Sequence, residues 1–201
     1  AYTHSDDGQD FGRIYGISKD SRENIWVCSK DHGLFKMTPR AGGGYAIVNY
    51  HYDASNKQSV NDNRAYQAIE DKQGNIWVGT AAGVVYITPK GHLITPQFEA
   101  GTVSKGIIAT QLYCDTAGRV WLLTANERGL FMFADGIFHT RPELDTFGIY
   151  FATTICQDMQ GTFWIGLAEQ GLIRVNNGTV EEVKTGTKLD HIPSTASYPD
   201  S

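Results

Sequence analysis

Apolar and polar residues alternate along this chain in runs of about five to seven residues, separated by turns rich in Gly and Asp. One set of runs predicts four strands in a row: AYQAIE (65–70), NIWVGT (75–80), GVVYIT (83–88) and HLITPQFE (92–99). Their Ile, Val, Tyr, Phe and Thr content is typical of half-buried strands. No window carries an apolar stripe at helical spacing over about ten residues. The pattern therefore predicts an all-β protein.

The four tryptophans of the chain occupy one repeating place. An aspartate stands six residues before each of them, in the pairs Asp20 with Trp26, Asp71 with Trp77, Asp115 with Trp121, and Asp158 with Trp164. Successive tryptophans are 51, 44 and 43 residues apart. A period of this length is typical of helical arrays or propeller blades. Because the local pattern is that of strands, we interpret the repeats as blades.

The repeats predict a β-propeller fragment with four four-stranded blades and the first strand of a fifth. The blades are expected at about 12–53, 61–100, 104–144 and 148–184. Asp200 stands 42 residues after Asp158, so residues 190–201 are expected to begin the next blade. A closed four-bladed ring is the alternative, in which residues 190–201 or the N-terminal ten residues supply a closing strand.

The Asp, Gly and Trp residues of each repeat have architectural interpretations. The Asp that opens the D-x-x-G-N turn can accept backbone N–H groups two residues on, and the Gly supplies a positive φ. Glu23 replaces that Gly in the first blade, which costs up to about 1 kcal/mol if the backbone keeps positive φ. Each Trp is expected to pack between neighbouring blades, because radially stacked sheets need wide apolar side chains.

Composition narrows the possible partners. A net charge of −5 and the lack of a Lys/Arg cluster argue against nucleic acid. No apolar run reaches about 18 residues and no signal-peptide pattern opens the chain, so neither a membrane segment nor a leader is expected in it. Cys28, Cys114 and Cys156 lack metal-ligand spacing and lie in apolar runs. We expect buried thiols, no metal site and no cofactor.

The segment IEDKQGNIWVGTAAGVVYITP (69–89) resembles the repeat of two-component regulator propellers, and the resemblance extends over about residues 12–201. The W-V-G-T core of this segment becomes WVCS, WLLT and WIGL in the other blades. The resemblance implies the periplasmic sensor region of a hybrid two-component regulator, followed in the parent protein by a further β-domain, a membrane helix, a histidine kinase and a response regulator. It further implies a non-catalytic role in detecting an oligosaccharide for signal transduction.

Candidate ligand-binding residues lie on the loops that join the second and third strands of a blade, or that lead into its first strand. These loops cluster at one rim of a propeller, where the stacked sheets hold them in place. Amide, carboxylate, guanidinium and aromatic groups there suit a sugar or another polar small ligand. The candidates are Arg13, Lys30, Asp31, His32, Arg64, Asn126, Glu127, Arg128, Tyr150, Glu169 and Gln170, with Phe147 nearby.

Two other functions stay open. The chain contains no G-x-S-x-G, no H-E-x-x-H and no phosphate-binding glycine loop. However, acid and base candidates at His32, Asp31, Glu127 and Glu169 could converge on one rim. Streptogramin-inactivating lyases have a similar propeller and use His and Glu near the channel. The other alternative is an interaction scaffold that packs against neighbouring domains or forms a homodimer.

Overall fold

The computed structural model describes residues 2–100, 106–125, 129–141, 152–168, 171–176 and 178–183. Within these ranges the chain forms seventeen β-strands in four sheets and no helix. The all-β propeller prediction is confirmed. The residues expected to start a fifth blade, 190–201, lie outside the described ranges, so that expectation stays a prediction.

The sheets follow one another along the chain. The first contains β1 (Ile14–Lys19), β2 (Ile25–Ser29), β3 (Leu34–Pro39) and β4 (Tyr45–Tyr50). The second contains β5 (Ala65–Glu70), β6 (Ile76–Thr80), β7 (Gly83–Ile87) and β8 (Leu93–Ile94). The third contains β9 (Gln97–Phe98), β10 (Ala109–Cys114), β11 (Val120–Thr124), β12 (Leu130–Ala134) and β13 (Ile137–Thr140). The fourth contains β14 (Ala152–Gln157), β15 (Phe163–Leu167), β16 (Gly171–Asn176) and β17 (Thr179–Glu182). We call these sheets blades 1 to 4.

The prediction of a single blade 2 strand over residues 92–99 is wrong. Its first part, β8, pairs with β7, whereas β9 pairs in parallel with β13 and makes blade 3 five-stranded. Pro96 stands between the two parts. A proline has no backbone N–H to donate to the sheet, so pairing with β7 stops there and the chain crosses to the next blade.

Each repeat Asp closes its turn with both carboxylate oxygens. Asp20 Oδ1 accepts the backbone N–H groups of Arg22 (3.0 Å) and Asn24 (2.8 Å), and Oδ2 accepts the indole N–H of Trp26 at 2.9 Å. The same indole bond measures 2.7 Å in blade 2, 3.0 Å in blade 3 and 2.8 Å in blade 4. This bond explains the constant spacing of six residues, because the turn must bring the carboxylate back to the indole nitrogen.

The turn backbone has positive φ at the same place in every blade. The φ angle is 66° at Glu23, 78° at Gly74, 85° at Gly118 and 85° at Gly161. Glu23 therefore holds a conformation that glycine adopts without strain. An exposed ion pair with Lys19 at 3.0 Å accompanies it.

Three apolar seams join the blades; we number them from the N-terminus. The first contains Trp26, the second contains Trp77 and the third contains Trp121. Trp77 is the most enclosed of the three, with its ring centroid 4.5 Å from that of Tyr86 and 4.7 Å from that of Phe133. Each of these tryptophans faces the following blade. Trp164 of blade 4 lies on the outer face of the last described sheet and is only half-buried.

Polar contacts between repeat turns reinforce the first and third seams; we call them turn staples. Glu70 at the end of β5 accepts hydrogen bonds from Ser21 N (2.6 Å) and Ser21 Oγ (2.7 Å) of blade 1. Gln157 at the end of β14 accepts in the same way from Thr116 N (2.9 Å) and Oγ1 (2.8 Å) of blade 3. In both staples a later blade supplies the acceptor to an earlier one.

The first strands β1, β5, β10 and β14 are the inner strands, and they contact one another in that order. Ile17 on β1 is 66% exposed, so blade 1 has an uncovered inner edge in the described part of the chain. The N-terminal residues do not supply a strand to blade 4 there. They fold back locally, with a β-bridge between His4 and Asp10. Phe11 packs against Phe35 of blade 1, with the two ring centroids 4.7 Å apart.

The cysteines differ in burial. Cys28 is buried in the first seam, which raises its pKa to about 12 because burial disfavours the thiolate. Cys114 is intermediate in exposure and Cys156 is exposed, so the prediction of a buried thiol is wrong for Cys156. Cys156 pairs with Trp164 on β15, the strand whose outer face carries no further blade in the described residues.

Candidate functional site

The inner strands share a bulge that exposes one residue of each at the axis. The pairing register skips Tyr15, Tyr66, Thr110 and Thr153, each of which stands five residues before its repeat Asp. A bulge leaves its extra residue unpaired and redirects the side chain. All four residues line one cavity of about 510 Å³ on the inner strands. We call this surface the channel face.

Two tyrosines form an aromatic shelf on the channel face. The rings of Tyr15 and Tyr66 are stacked, with centroids 5.4 Å apart and an interplanar angle of 19°. Tyr15 remains 45% exposed. Gly16 permits this approach of blades 1 and 2, because a Cβ there would lie 2.7 Å from the carbonyl oxygen of Tyr66. Flat aromatic surfaces with polar edges suit the apolar face of a sugar ring.

Two glutamines and a threonine supply polar groups beside the shelf. Gln67 Oε1 accepts the N–H of Leu112 at 2.6 Å, which fixes this side chain across the second seam. Gln111 Nε2 lies 3.4 Å from Thr154 Oγ1, to which it donates. Gln111 Oε1 is buried and accepts no hydrogen bond from the described residues. An unsatisfied buried acceptor is costly unless a ligand or water donates to it.

Arg64 stands where the channel face meets the rim. Its Nε lies 3.3 Å from Asp62 Oδ1, and its backbone N–H donates to the same oxygen at 2.7 Å. The hydrogen bond and charge of Asp62 raise the pKa of Arg64, and Tyr66 and Tyr15 raise it further. The guanidinium is thus a fixed positive charge close to both shelf tyrosines.

The other described candidates lie on the rim beside blade 1. Lys30 N–H donates to the Arg13 carbonyl at 2.8 Å, which joins the loop after β2 to the entry of β1. His32 Nε2 lies 3.5 Å from Asp10 Oδ1, and the His32 carbonyl accepts from Asn49 Nδ2 at 2.7 Å. Asp31 is exposed, and its N–H donates to Ser29 Oγ at 3.2 Å. Ligand binding by these residues stays a prediction.

The remaining candidates cannot be placed. They lie outside the described residues and comprise Asn126, Glu127, Arg128, Phe147, Tyr150, Glu169 and Gln170. The convergence of His32 and Asp31 with Glu127 and Glu169 is therefore untested. Among the described residues, no group of three His, Cys, Asp or Glu side chains could hold a metal ion.

Sequence reasoning missed the channel face. It placed the site on rim loops, whereas Tyr15, Tyr66, Gln67 and Gln111 lie on the inner strands themselves. A signal was present in the repeat alignment. Positions five and four residues before each repeat Asp hold Tyr-Gly, Tyr-Gln, Thr-Gln and Thr-Thr, which are not the aliphatic residues expected of a strand buried on both faces.

Comparison with known proteins agrees with the repeat. Residues 59–82 match the family model described as Two component regulator propeller, so the predicted resemblance is confirmed there. No curated protein sequence matches the chain. No helix in the described ranges has the length and apolar character needed to cross a membrane.

Several solved structures have the same fold. The extracellular domain of the hybrid two component system BT4673 from B. thetaiotaomicron superposes with a TM-score of 0.68 and 20% identity, over 86% of this chain and 25% of that one. The extracellular domain of BT3049, a hybrid two component system of the same organism, superposes with a TM-score of 0.65 and 20% identity, over 87% of this chain and 23% of that one. Virginiamycin B lyase from Staphylococcus aureus superposes with a TM-score of 0.63 and 17% identity, over 90% of this chain and 58% of that one.

These likenesses establish the propeller fold. The chain spans about a quarter of the two extracellular domains that it resembles. Their extracellular location agrees with the predicted extracytoplasmic location of this chain.

Proposed function

We propose that this chain is a non-catalytic part of the periplasmic sensor region of a hybrid two-component regulator, and that its channel face binds an oligosaccharide. The observation that carries the proposal is the shelf of Tyr15 and Tyr66 beside the unsatisfied Gln111 Oε1. The regulator-propeller match at residues 59–82 and the likeness to extracellular sensor domains support the signalling context.

The channel face offers what a neutral sugar needs. The stacked tyrosines provide a flat apolar surface, and Arg64 donates at the rim; a rotation of the Gln111 amide on binding would bring its buried Oε1 to a ligand hydroxyl. The cavity of about 510 Å³ falls within the range of ligand pockets, about 300–1,000 Å³. Every polar side chain comes from a strand or its immediate entry, so the backbone that carries the site is in place before binding.

Ligand binding would change the relative arrangement of the blades, which pack against one another at the seams. The cavity is lined by all four blades, so a ligand on it contacts groups from several sheets at once. Such a ligand favours the blade arrangement in which those contacts are made together. The proposed signal is a shift in the placement of this propeller relative to its neighbouring domains or to a second protomer.

The test is calorimetric titration of the complete propeller region with a panel of neutral glycan fragments. We expect saturable heat with at least one fragment and a loss of affinity of about tenfold or more in Tyr15→Ala, because stacking is removed. Tyr52→Ala is the matched control, since Tyr52 is 48% exposed and lies outside the channel face. No saturable heat across the panel, or equal losses in both variants, would refute the proposal.

A lyase of the streptogramin-inactivating type is the second candidate. The likeness to virginiamycin B lyase and the position of His32 beside Asp10 on the rim favour it. Turnover of a streptogramin substrate by the complete propeller region, abolished in His32→Ala, would support this candidate over the sensor. A protein-interaction scaffold or homodimer predicts neither glycan binding nor turnover.

A further inference from the structure

Blade 1 has an apolar face equivalent to the one that each later blade packs against the blade before it; we call it the entry face. Its residues belong to one apolar cluster and comprise Val27, Phe35, Met37 and Ile47. In blade 2 the equivalent residues Val78, Val85 and Ile87 pack in the first seam against blade 1. The entry face is therefore one half of a seam.

The entry face is buried although no blade precedes it in the described residues. All four of its side chains are buried. Residues 2–11, which we call the N-terminal cap, cover them. Phe11 is itself buried against Phe35, and the rings of Tyr2 and Tyr45 meet edge to face with their centroids 5.5 Å apart. A segment of the chain itself therefore lies where a neighbouring blade would stack.

The N-terminal cap is a short antiparallel hairpin that is hydrogen-bonded both within itself and to β4. Within the cap, Ser5 N donates to the Gln9 carbonyl at 2.7 Å. Asp6 N donates to the carbonyl of Ile47 on β4 at 2.9 Å, and Asp6 Oδ2 accepts from Arg40 Nη2 at 2.7 Å. Backbone, charge and apolar contacts together hold the cap on the entry face.

The cap does not reach the inner strand of blade 1. Ile17 on β1 is 66% exposed. The equivalent residues, each three positions before a repeat Asp, are Ala68, Leu112 and Ile155, and they are only 2%, 1% and 3% exposed. A neighbouring blade would bury Ile17 as the neighbours of the other blades bury these three. The cap therefore covers less than a blade does and leaves apolar surface beside it.

Blade 4 presents the other half of a seam, which we call the exit face. In the third seam, Trp121 and Leu130 of blade 3 pack against blade 4. Trp164 and Leu172 hold the same places in blade 4, where Trp164 is half-buried and Leu172 is 39% exposed. No blade follows them in the described residues. The described chain thus combines an open exit face with a capped entry face.

We propose that the N-terminal cap keeps the entry face of blade 1 from stacking against the exit face of a second copy of this chain. The two faces are the halves that join blades within the chain, so a bare entry face would accept Trp164 of another copy as blade 2 accepts Trp26. Such head-to-tail stacking leaves a free face at each end and can continue to further copies. The cap prevents it by occupying the outer strands. This role goes beyond the proposed sensor function and does not depend on it.

The experiment measures the average mass of the 201-residue chain by sedimentation velocity over a range of concentrations. Phe11→Ser removes the buried anchor of the cap. We expect its average mass to rise with concentration to about twice that of the wild type or more, because a bare entry face can stack. Adding Ile17→Ser on the entry face, or Leu172→Ser on the exit face, should return the mass to the wild-type value, because the contact needs both faces.

Val60→Ser is the matched control. Val60 precedes the inner strand of blade 2 as Phe11 precedes that of blade 1, and it is buried in the first seam rather than at an end face. Its substitution should destabilise the chain without raising its mass. Asp6→Pro loosens the cap in a second way, because it removes the N–H that Ile47 accepts and leaves the buried residues unchanged. It should raise the mass in the same direction as Phe11→Ser.

Hydrogen exchange of the wild type tests the cap without any substitution. The amides of Ser5, Asp6 and Phe11 donate to carbonyl groups and should exchange about tenfold more slowly than in an unstructured peptide, or slower still. The proposal would be overturned by unprotected cap amides, by a wild-type mass in both cap variants, by an equal rise in Val60→Ser, or by a rise that neither Ile17→Ser nor Leu172→Ser reverses.

Discussion

Trp77 and Trp164 stand at the same place in the repeat and hydrogen-bond to the same kind of aspartate, but their surroundings differ. Trp77 is 1% exposed and lies between blades 2 and 3 among Tyr86, Phe133 and Phe138. Trp164 is half-buried on the outer face of blade 4. On that same face, Leu172 is 39% exposed.

The comparison separates two roles of one motif. The bond from indole to Asp closes the turn within a blade, and it is present whether or not a neighbour covers the ring. Burial of the indole comes only from the following blade. Each blade is therefore complete in its hydrogen bonds but incomplete in its apolar contacts, which is the property of a repeat that must stack to be stable.

The largest expected effect is at the two tryptophans themselves. Trp77→Ala should lower the free energy of unfolding by about 3–5 kcal/mol, because it leaves a large cavity in a filled seam. Trp164→Ala should lower it by less, about 2 kcal/mol, since the hydrogen bond to Asp158 is lost but no following blade in the described residues encloses the space that the ring leaves. Urea unfolding of both variants measures the difference. Equal losses would show that the ring's burial does not decide its contribution.

A smaller effect is expected at the aspartates. Burial raises the pKa of Asp115, but hydrogen bonds from Trp121 and Arg119 outweigh it and hold this pKa below its usual value. The stabilisation is therefore complete above the unfolded pKa of about 3.9 and is lost as the pH falls through the folded pKa. Asp115→Asn should lower the free energy of unfolding by about 2 kcal/mol at neutral pH and flatten its decline below about pH 4.

Asp158→Asn is the matched variant on the outer face. The hydrogen bond from Trp164 lowers the pKa of Asp158, but water reaches this turn and can replace lost partners. Its acid decline should therefore stay closer to that of the wild type. Urea unfolding between pH 7 and pH 2 compares the two, and a steeper acid decline in Asp115→Asn than in the wild type would contradict the assignment.

The smallest effect is expected in the turn of blade 1. Glu23→Gly should raise the free energy of unfolding by about 0.5–1 kcal/mol, because it relieves a positive φ that the other blades assign to glycine. The ion pair with Lys19 that it removes is exposed and contributes little. Arg22→Gly, one position earlier in the same turn, should not stabilise. A melting temperature that rises in both variants would point to a cause other than φ.

The sequence was sufficient for the repeated parts of the fold. The spacing of Asp and Trp and the alternating runs predicted the blades, because both follow from local geometry that recurs four times. The transfer of β9 to blade 3 was not predicted. It depends on where the chain goes after Pro96, which is decided by packing against β13 rather than by the local pattern.

The candidate site was less accessible to sequence reasoning. The bulges place Tyr15 and Tyr66 on the channel face, and a bulge shifts side chains away from the simple alternation that the prediction used. Arg119 was visible as a departure from Asn24 and Asn75. Arg119 and Arg141 both lie over the Trp121 ring. This arrangement depends on how blades 3 and 4 stack, which cannot be predicted from the local sequence pattern.

The turn staples imply an order in which the blades assemble. Ser21 and Thr116 are donors on earlier blades, and their acceptors Glu70 and Gln157 are synthesised 49 and 41 residues later. A growing chain emerges from the ribosome with its N-terminal blades first. Each donor turn can therefore form first. Its hydrogen bonds to the following blade form only when the inner strand of that blade is complete.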